Sequence, residues 1–270
     1  MKKILFLLLA SCLLAACVLL PFSSPFSGPQ VVAHRGYWKT EGSAQNSISS
    51  LLNAGRIGAY GSEFDVNLTA DDQLVINHDF TYLGMVIRET TLEVLRNDTL
   101  RLQNGERIPT LDEYLEASLQ YPELKLVLEL KSEGDPIYEE TAIHKIIEAI
   151  QRYGVQRRVE FISFSLSACE AFARQMPKNR VEYLGSDILP AELKERGISG
   201  IDYHYSAFDL HPELVTQAHE LGMIVNAWTV DKEEDIKRML ALGVDHITTN
   251  EPELAQQLIA DFKATADPRR

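Results

Sequence analysis

The sequence predicts one closed α/β barrel of eight parallel strands, a (βα)8 TIM barrel with a small insertion after the second strand. Three observations carry that expectation. After Gln30, short β-rich runs alternate with helical stretches, and the alternation repeats eight times. The chain has 270 residues, and one such barrel usually takes about 250. No Gly-x-Gly-x-x-Gly follows the first run, as an open dinucleotide-binding sheet would require.

The elements follow in order. Residues 31–34 (VVAH) form a β-branched first strand, and helix 46–57 returns from it. Residues 63–68 (EFDVNL) alternate acidic or polar with apolar side chains, as a second strand should. Residues 73–109 then break the rhythm: QLVIN at 73–77 reads as an extra strand, and Asn104-Gly105 as a turn in a small insertion over the second unit. Thr110 and Glu113 form a capping-box pattern at the start of helix 111–119. In the third strand, 125–131, Leu126, Leu128 and Leu130 define the helix-facing side. Helix 137–152 stops at Gly154, and strand 159–163, helix 166–174 and strand 181–184 follow. Helix 190–196 ends at Gly197 and strand 200–203 comes next. Pro212 fits the first turn of helix 212–221, which Gly222 closes. Strand 223–229 leads to a second capping-box pattern, Asp231 with Glu234, for helix 232–241 ending at Gly243. Strand 245–248 and helix 252–262, opened by Pro252, complete the series.

Charged residues at 24% and hydrophobic ones at 45% are ordinary for a globular chain, and nothing in composition divides it into two domains. The formal charge is −13, and loss of Lys2 and Lys3 with a leader leaves 24 basic against 39 acidic residues, −15. Nucleic acid is therefore excluded as a partner, because its phosphates need a positive face. A small anion remains compatible, since a bound divalent cation inverts the local field.

The start, MKKILFLLLASCLLAAC, has two lysines, an apolar run and Leu14-Ala15-Ala16-Cys17, and it resembles a bacterial lipoprotein signal with Cys17 as the lipidated residue. Residues 1–17 are the expected signal, 18–30 a tether with three prolines and three serines, and 31–270 the barrel. An uncleaved anchor is the rival, because 4–22 is 19 residues without a charge; either way the barrel lies outside the cytoplasm. Beyond that leader only Cys169 remains, so no disulfide forms within the barrel.

Four clusters carry the chemistry: His34-Arg35-Gly36, Glu63-Phe64-Asp65, His78-Asp79 and Glu129-Leu130-Lys131. Glu63 and Asp65 are two apart on a strand, so both point into the barrel while Phe64 and Val66 face the helices. Like charges confined there call for a cation, and an oxygen-liganded Mg²⁺ or Ca²⁺ is the economical one. Glu129 supplies the third ligand by the same alternation, and Lys131 a cation for a phosphate. His34 and His78, at separate strand ends, suit a general acid and base, with metal ligation or core hydrogen bonding as the bland reading. Arg35 offers a planar fork of donors to a phosphate. Asp79 either orients His78 or caps the turn, Asn46 either caps the following helix or touches the site, and Asn250 is as well suited to capping as to function. Asn226 and Trp228 share an inward face, Trp228 at the mouth.

Taken together, His-Arg-Gly, Glu-x-Asp, His-Asp and Glu-x-Lys resemble the glycerophosphodiester phosphodiesterase family, from about Val31 to about Leu258. The resemblance implies a divalent metal on Glu63, Asp65 and Glu129, catalysis by His34 and His78, substrate binding by Arg35, Lys131 and the tryptophan segment VNAWTVD, and hydrolysis of glycerophosphodiesters to glycerol 3-phosphate and an alcohol. One departure is Ala44-Gln45-Asn46, where the family usually has Pro-Glu-Asn, which weakens the expected metal site by one charge. The rival readings are a lipid head-group phosphodiesterase of the same barrel type and a sugar-phosphate-binding barrel without turnover.

Overall fold

Strand pairing closes on itself in the computed structural model, which describes residues 28–132 and 134–266. The Cys17 motif and most of the tether lie outside the described residues. In chain order the strands are β1 (Gln30–Ala33), β2 (Gly61–Leu68), β3 (Leu74–Ile76), β4 (Thr81–Tyr82), β5 (Met85–Val86), β6 (Lys125–Leu130), β7 (Val159–Ser163), β8 (Val181–Tyr183), β9 (Gly200–His204), β10 (Ile224–Trp228) and β11 (His246–Thr249). Eight are parallel, in the order β1-β11-β10-β9-β8-β7-β6-β2, and β2 pairs back to β1. This is the expected barrel. The seam is set by Gln30↔His246 through Ala33↔Thr249.

Alternation along the strands builds two environments. Phe64, Val66, Leu126 and Leu128 are fully buried in the main core between strands and helices. Burying such side chains stabilises by about 1.5–3 kcal/mol each. Inside the barrel, Val32, Val127, Ile162 and Leu184 form a smaller apolar cluster of their own.

The insertion takes the form of β3, antiparallel to β2 from Val66↔Ile76 to Leu68↔Leu74, and a small β4–β5 ladder. Val75, Tyr82, Ile87, Leu95 and Ile108 give it its own core. The Thr110 capping box is present, with the Thr110 side chain accepting from Glu113 N–H and the Glu113 carboxylate from Thr110 N–H.

The second capping box is not. Lys232 caps helix Glu233–Leu242 without a side-chain bond, and the Asp231 carboxylate accepts from Thr249 and Asn250 instead. Asn46 likewise stands outside its helix, which begins at Ile48 behind the Ser47 cap. A helix absent from the expected series, Tyr205–Leu210, follows β9 directly. At the foot of the barrel, where the strands begin, Gly28 lies against the side chain of Lys263 in the final helix, Pro252–Ala266.

Candidate active site

The carboxyl ends of the strands gather the chemistry. After β1 the chain turns sharply through Arg35 (φ 56°) and Gly36 (φ 74°), both in the left-handed region. Gly36 N–H donates to the Glu63 carbonyl at 3.0 Å, and Arg35 N–H donates to the Glu63 carboxylate at 2.7 Å. Only glycine fits at position 36, because an added methyl would stand 2.4 Å from Ser50 Oγ and 2.6 Å from the Ser50 carbonyl carbon. The turn therefore couples His34 and Arg35 to the acidic strand.

Glu63, Asp65 and Glu129 each offer a carboxylate oxygen, all within 4.8 Å of one another, and all three residues are buried. Burial, Asp65 and Glu129 push the Glu63 carboxyl well above its usual range. Burial and Asp65 push Glu129 up to about 8 against the pull of Lys131. Asp65 goes the other way: burial works to raise it, but Lys131, His78, Asn46 and Arg35 hold its carboxyl below the usual range. Lys131 Nζ stands 2.8 Å from Glu129 and 3.6 Å from Asp65. Burial opposes its charge, yet Glu129 and Asp65 outweigh that and raise the ammonium's pKa.

Asn46 is the residue that fixes Asp65, its Nδ2 donating to the carboxylate at 2.8 Å while its Oδ1 accepts from Asp65 N–H at 3.2 Å. Gln45 reaches Arg35 instead, accepting from Nη1 at 2.6 Å. The other edge of that guanidinium, Nε, lies 3.8 Å from Asp65.

Each histidine is held by one nitrogen. His34 Nδ1 is 2.9 Å from Asn250 Oδ1, whose Nδ2 donates to Asp231 at 2.8 Å. A carboxylate only accepts, so the Asn250 amide is fixed with its oxygen toward His34, and Nδ1 must carry the hydrogen. Trp38 Nε1 donates to the same oxygen at 2.9 Å. Burial and Arg35 lower His34 to about 4, so at neutral pH Nε2 presents a lone pair. His78 Nδ1 is 2.7 Å from Asp79. Asp79 thus orients His78, and its carboxylate makes Nδ1 the donor there too.

Seven of the eight residues singled out by sequence, His34, Arg35, Glu63, His78, Glu129, Lys131 and Trp228, line one cavity of about 150 Å³. Asp65 lies behind it, within the carboxylate cluster. The opposite wall is apolar: Ile162, Phe164, Leu184 and Trp228. Trp228 is fixed by Nε1 donating to the Asp202 carbonyl at 2.8 Å and is met edge-on by Phe164 and His204. Sequence reasoning missed the Asp231–Asn250 support for His34, since its members are joined only through barrel closure, and it did not single out Asp202, which also lines the cavity. A buried polar residue at an inward strand position was the signal available for Asp202.

A parallel barrel with three buried acids, two oriented histidines and two cations at its mouth defines a hydrolase site suited to a phosphate ester. The model of the Glycerophosphoryl diester phosphodiesterase family matches residues 34–254, and the chain belongs to that family as one of its enzymes. A glycerophosphodiester phosphodiesterase of Caldanaerobacter subterraneus subsp. tengcongensis is 32% identical over 241 residues, 85% of this chain and 97% of the relative. Among solved structures, a glycerophosphodiester phosphodiesterase from Parabacteroides distasonis superposes with a TM-score of 0.84 at 45% identity, covering 87% of this chain and 98% of its own. An Oleispira antarctica phosphodiesterase in complex with the product sn-glycerol-3-phosphate has a TM-score of 0.74 at 30% identity, covering 86% and 97%.

Proposed function

We propose that this protein hydrolyses glycerophosphodiesters to glycerol 3-phosphate and an alcohol, with a divalent metal held by Glu63, Asp65 and Glu129 and with His34 and His78 as base and acid. The observation that carries the reading is the single cavity onto which both histidines, two of the acids and both cations open. The name of the Caldanaerobacter relative and the product bound in the Oleispira structure support the substrate class.

The donor set fits a hard cation. It is all carboxylate, it is buried, and Asp65 Oδ1 is enclosed without a hydrogen-bond partner. When bound, such a cation supplies positive charge against the phosphate oxygens. The protein's own groups do the rest. Arg35 and Lys131 face the phosphate from two sides, and Trp228 with the apolar wall receives a less polar part of the substrate. His34 Nε2 accepts a proton from the attacking hydroxyl, and His78 Nε2 donates one to the departing alkoxide.

The attacking hydroxyl in this reading is the substrate's own glycerol 2-hydroxyl, which gains the effective concentration of a tethered nucleophile. The resulting cyclic phosphate is then opened by water with the two histidines in exchanged roles. A matched diester lacking the 2-hydroxyl is expected to resist cleavage, and turnover of it at the parent's rate removes the cyclic route. The whole assignment is tested by a panel of glycerophosphodiesters beside detergent-dispersed lysophospholipid and sphingolipid, with released glycerol 3-phosphate measured before and after chelation. Activity is expected on the soluble diesters, lost on chelation and restored by Mg²⁺ or Ca²⁺; full turnover by metal-free protein would reject the mechanism.

We also propose that the protein is exported and anchored by lipid on Cys17, on the strength of the Leu14-Ala15-Ala16-Cys17 motif behind a charged and apolar leader. Among the described residues no helix is long and apolar enough to cross a membrane.

A further inference from the structure

The foot of the barrel carries a second set of ligand-forming side chains that the reaction above does not use. Glu160 of β7, Glu182 of β8 and His246 of β11 turn inward there, all three buried, with one potential donor atom from each within 4.8 Å of the others. A cavity of about 320 Å³ opens onto Glu160 and His246.

This cluster is short of hydrogen-bond partners, although Arg180 pairs with Glu160 and Lys125, Arg157 and Lys178 line the same cavity. Glu182 is only 2% exposed, and its Oε2 is enclosed with no partner at all. The neighbouring Asp202 has a similarly orphaned Oδ1. Leaving a buried carboxylate oxygen unpaired carries a desolvation penalty that a cation would relieve. Glu160 is by contrast held in place: the Tyr60 hydroxyl donates to it at 2.6 Å, and Arg180 Nη1 lies 3.3 Å from the same oxygen. The His246 ring packs on Tyr60 at 4.6 Å. Burial and Arg180 keep that ring neutral, the form that ligates a metal.

We propose that Glu160, Glu182 and His246 form a second metal site, one for a first-row transition ion such as Zn²⁺ or Co²⁺. The imidazole separates it chemically from the all-oxygen cluster at the mouth, since mixed nitrogen and oxygen donors favour such ions over Mg²⁺ and Ca²⁺. A four-coordinate ion with bonds of about 2.1 Å needs donors about 3.4 Å apart, and the three donors already lie within 4.8 Å of one another. The open side toward the cavity leaves a place for water as fourth ligand. Its position at the amino-terminal ends of the strands makes the ion structural. It ties β7 and β8 to β11, the strand that closes the barrel on β1.

Co²⁺ is the probe, because nitrogen and oxygen ligation gives it visible absorption bands. The full chain carrying Glu63→Gln and Glu129→Gln, which disables the site at the mouth, is expected to bind about one equivalent of Co²⁺ with those bands and to melt at a higher temperature when loaded. Adding His246→Gln should abolish the bands and the bound equivalent. In the otherwise unaltered enzyme, His246→Gln should leave turnover within about twofold. No stoichiometric uptake by the mouth-disabled protein, or uptake indifferent to His246→Gln, overturns the proposal. If His246→Gln does not fold, Glu182→Gln in the same background is scored in the same way. Turnover and its chelator sensitivity are read separately, so failure at the foot leaves the catalytic assignment standing.

Discussion

At the scale of single residues, the strongest lever on the proposed chemistry is Asn250, which touches no part of the substrate in this reading and acts through His34. Its oxygen fixes the hydrogen on His34 Nδ1 and so makes Nε2 the base. Asn250→Ala is expected to lower kcat by on the order of 10²-fold, with KM and metal affinity nearly unchanged. Steady-state kinetics with a metal titration checks this, and a rise in KM alone would contradict it. Glu129 gives a second prediction. Its ordinary value is 4.5, and in the metal-free protein it is pushed up to about 8. Between those limits the folded protein holds a proton that the unfolded chain has released, so this group makes metal-free stability fall as pH rises through the window. A cation must displace that proton. Glu129 should therefore add up to about tenfold per pH unit to divalent affinity below about pH 8, and Glu63, raised in the same way, should steepen the climb, as calorimetric titration at several pH values would show.

At the scale of elements, the turn after β1 is the least tolerant part of the mouth. Gly36→Ala adds a methyl to a left-handed position already filled by Ser50, and a loss of about 3 kcal/mol in urea unfolding is expected, with His34 and Arg35 displaced together. Thr110→Ala should cost about 1 kcal/mol and leave kcat alone, because it removes only the cap of helix Leu111–Ser118. These elements also show what the sequence could and could not disclose. The eight barrel strands were legible because β-rich runs recur between helix stops, and alternation alone sent Glu63, Asp65 and Glu129 to the side opposite Phe64, Val66 and Leu128. Asp231 was misread as a helix cap. Its spacing to Glu234 satisfies the capping pattern, but the nearby β11 end offers three donors at once, and they win. Helix Tyr205–Leu210 was invisible because it follows β9 without a punctuating residue. Asn46 suits two roles by sequence, and its two hydrogen bonds to Asp65, with Ser47 as the helix cap, decide for the site.

At the scale of the whole molecule, the barrel separates two ends with different tasks. Mass spectrometry of the native amino terminus is expected to find a diacylglyceryl-modified Cys17; an intact Met1 would show a retained anchor, and a cut elsewhere an ordinary secretory signal. The chain enters the barrel at Gly28, beside Lys263 on the foot, while the catalytic cavity opens on the opposite face. Ten residues separate Cys17 from Gly28, a leash of at most about 36 Å. On the proposal that lipid on Cys17 anchors the chain, the tether joins the barrel at its foot and leaves the mouth free to face the surrounding fluid. Under that proposal, attachment at the foot favours scavenging of diesters arriving by diffusion over extraction of lipids from the membrane.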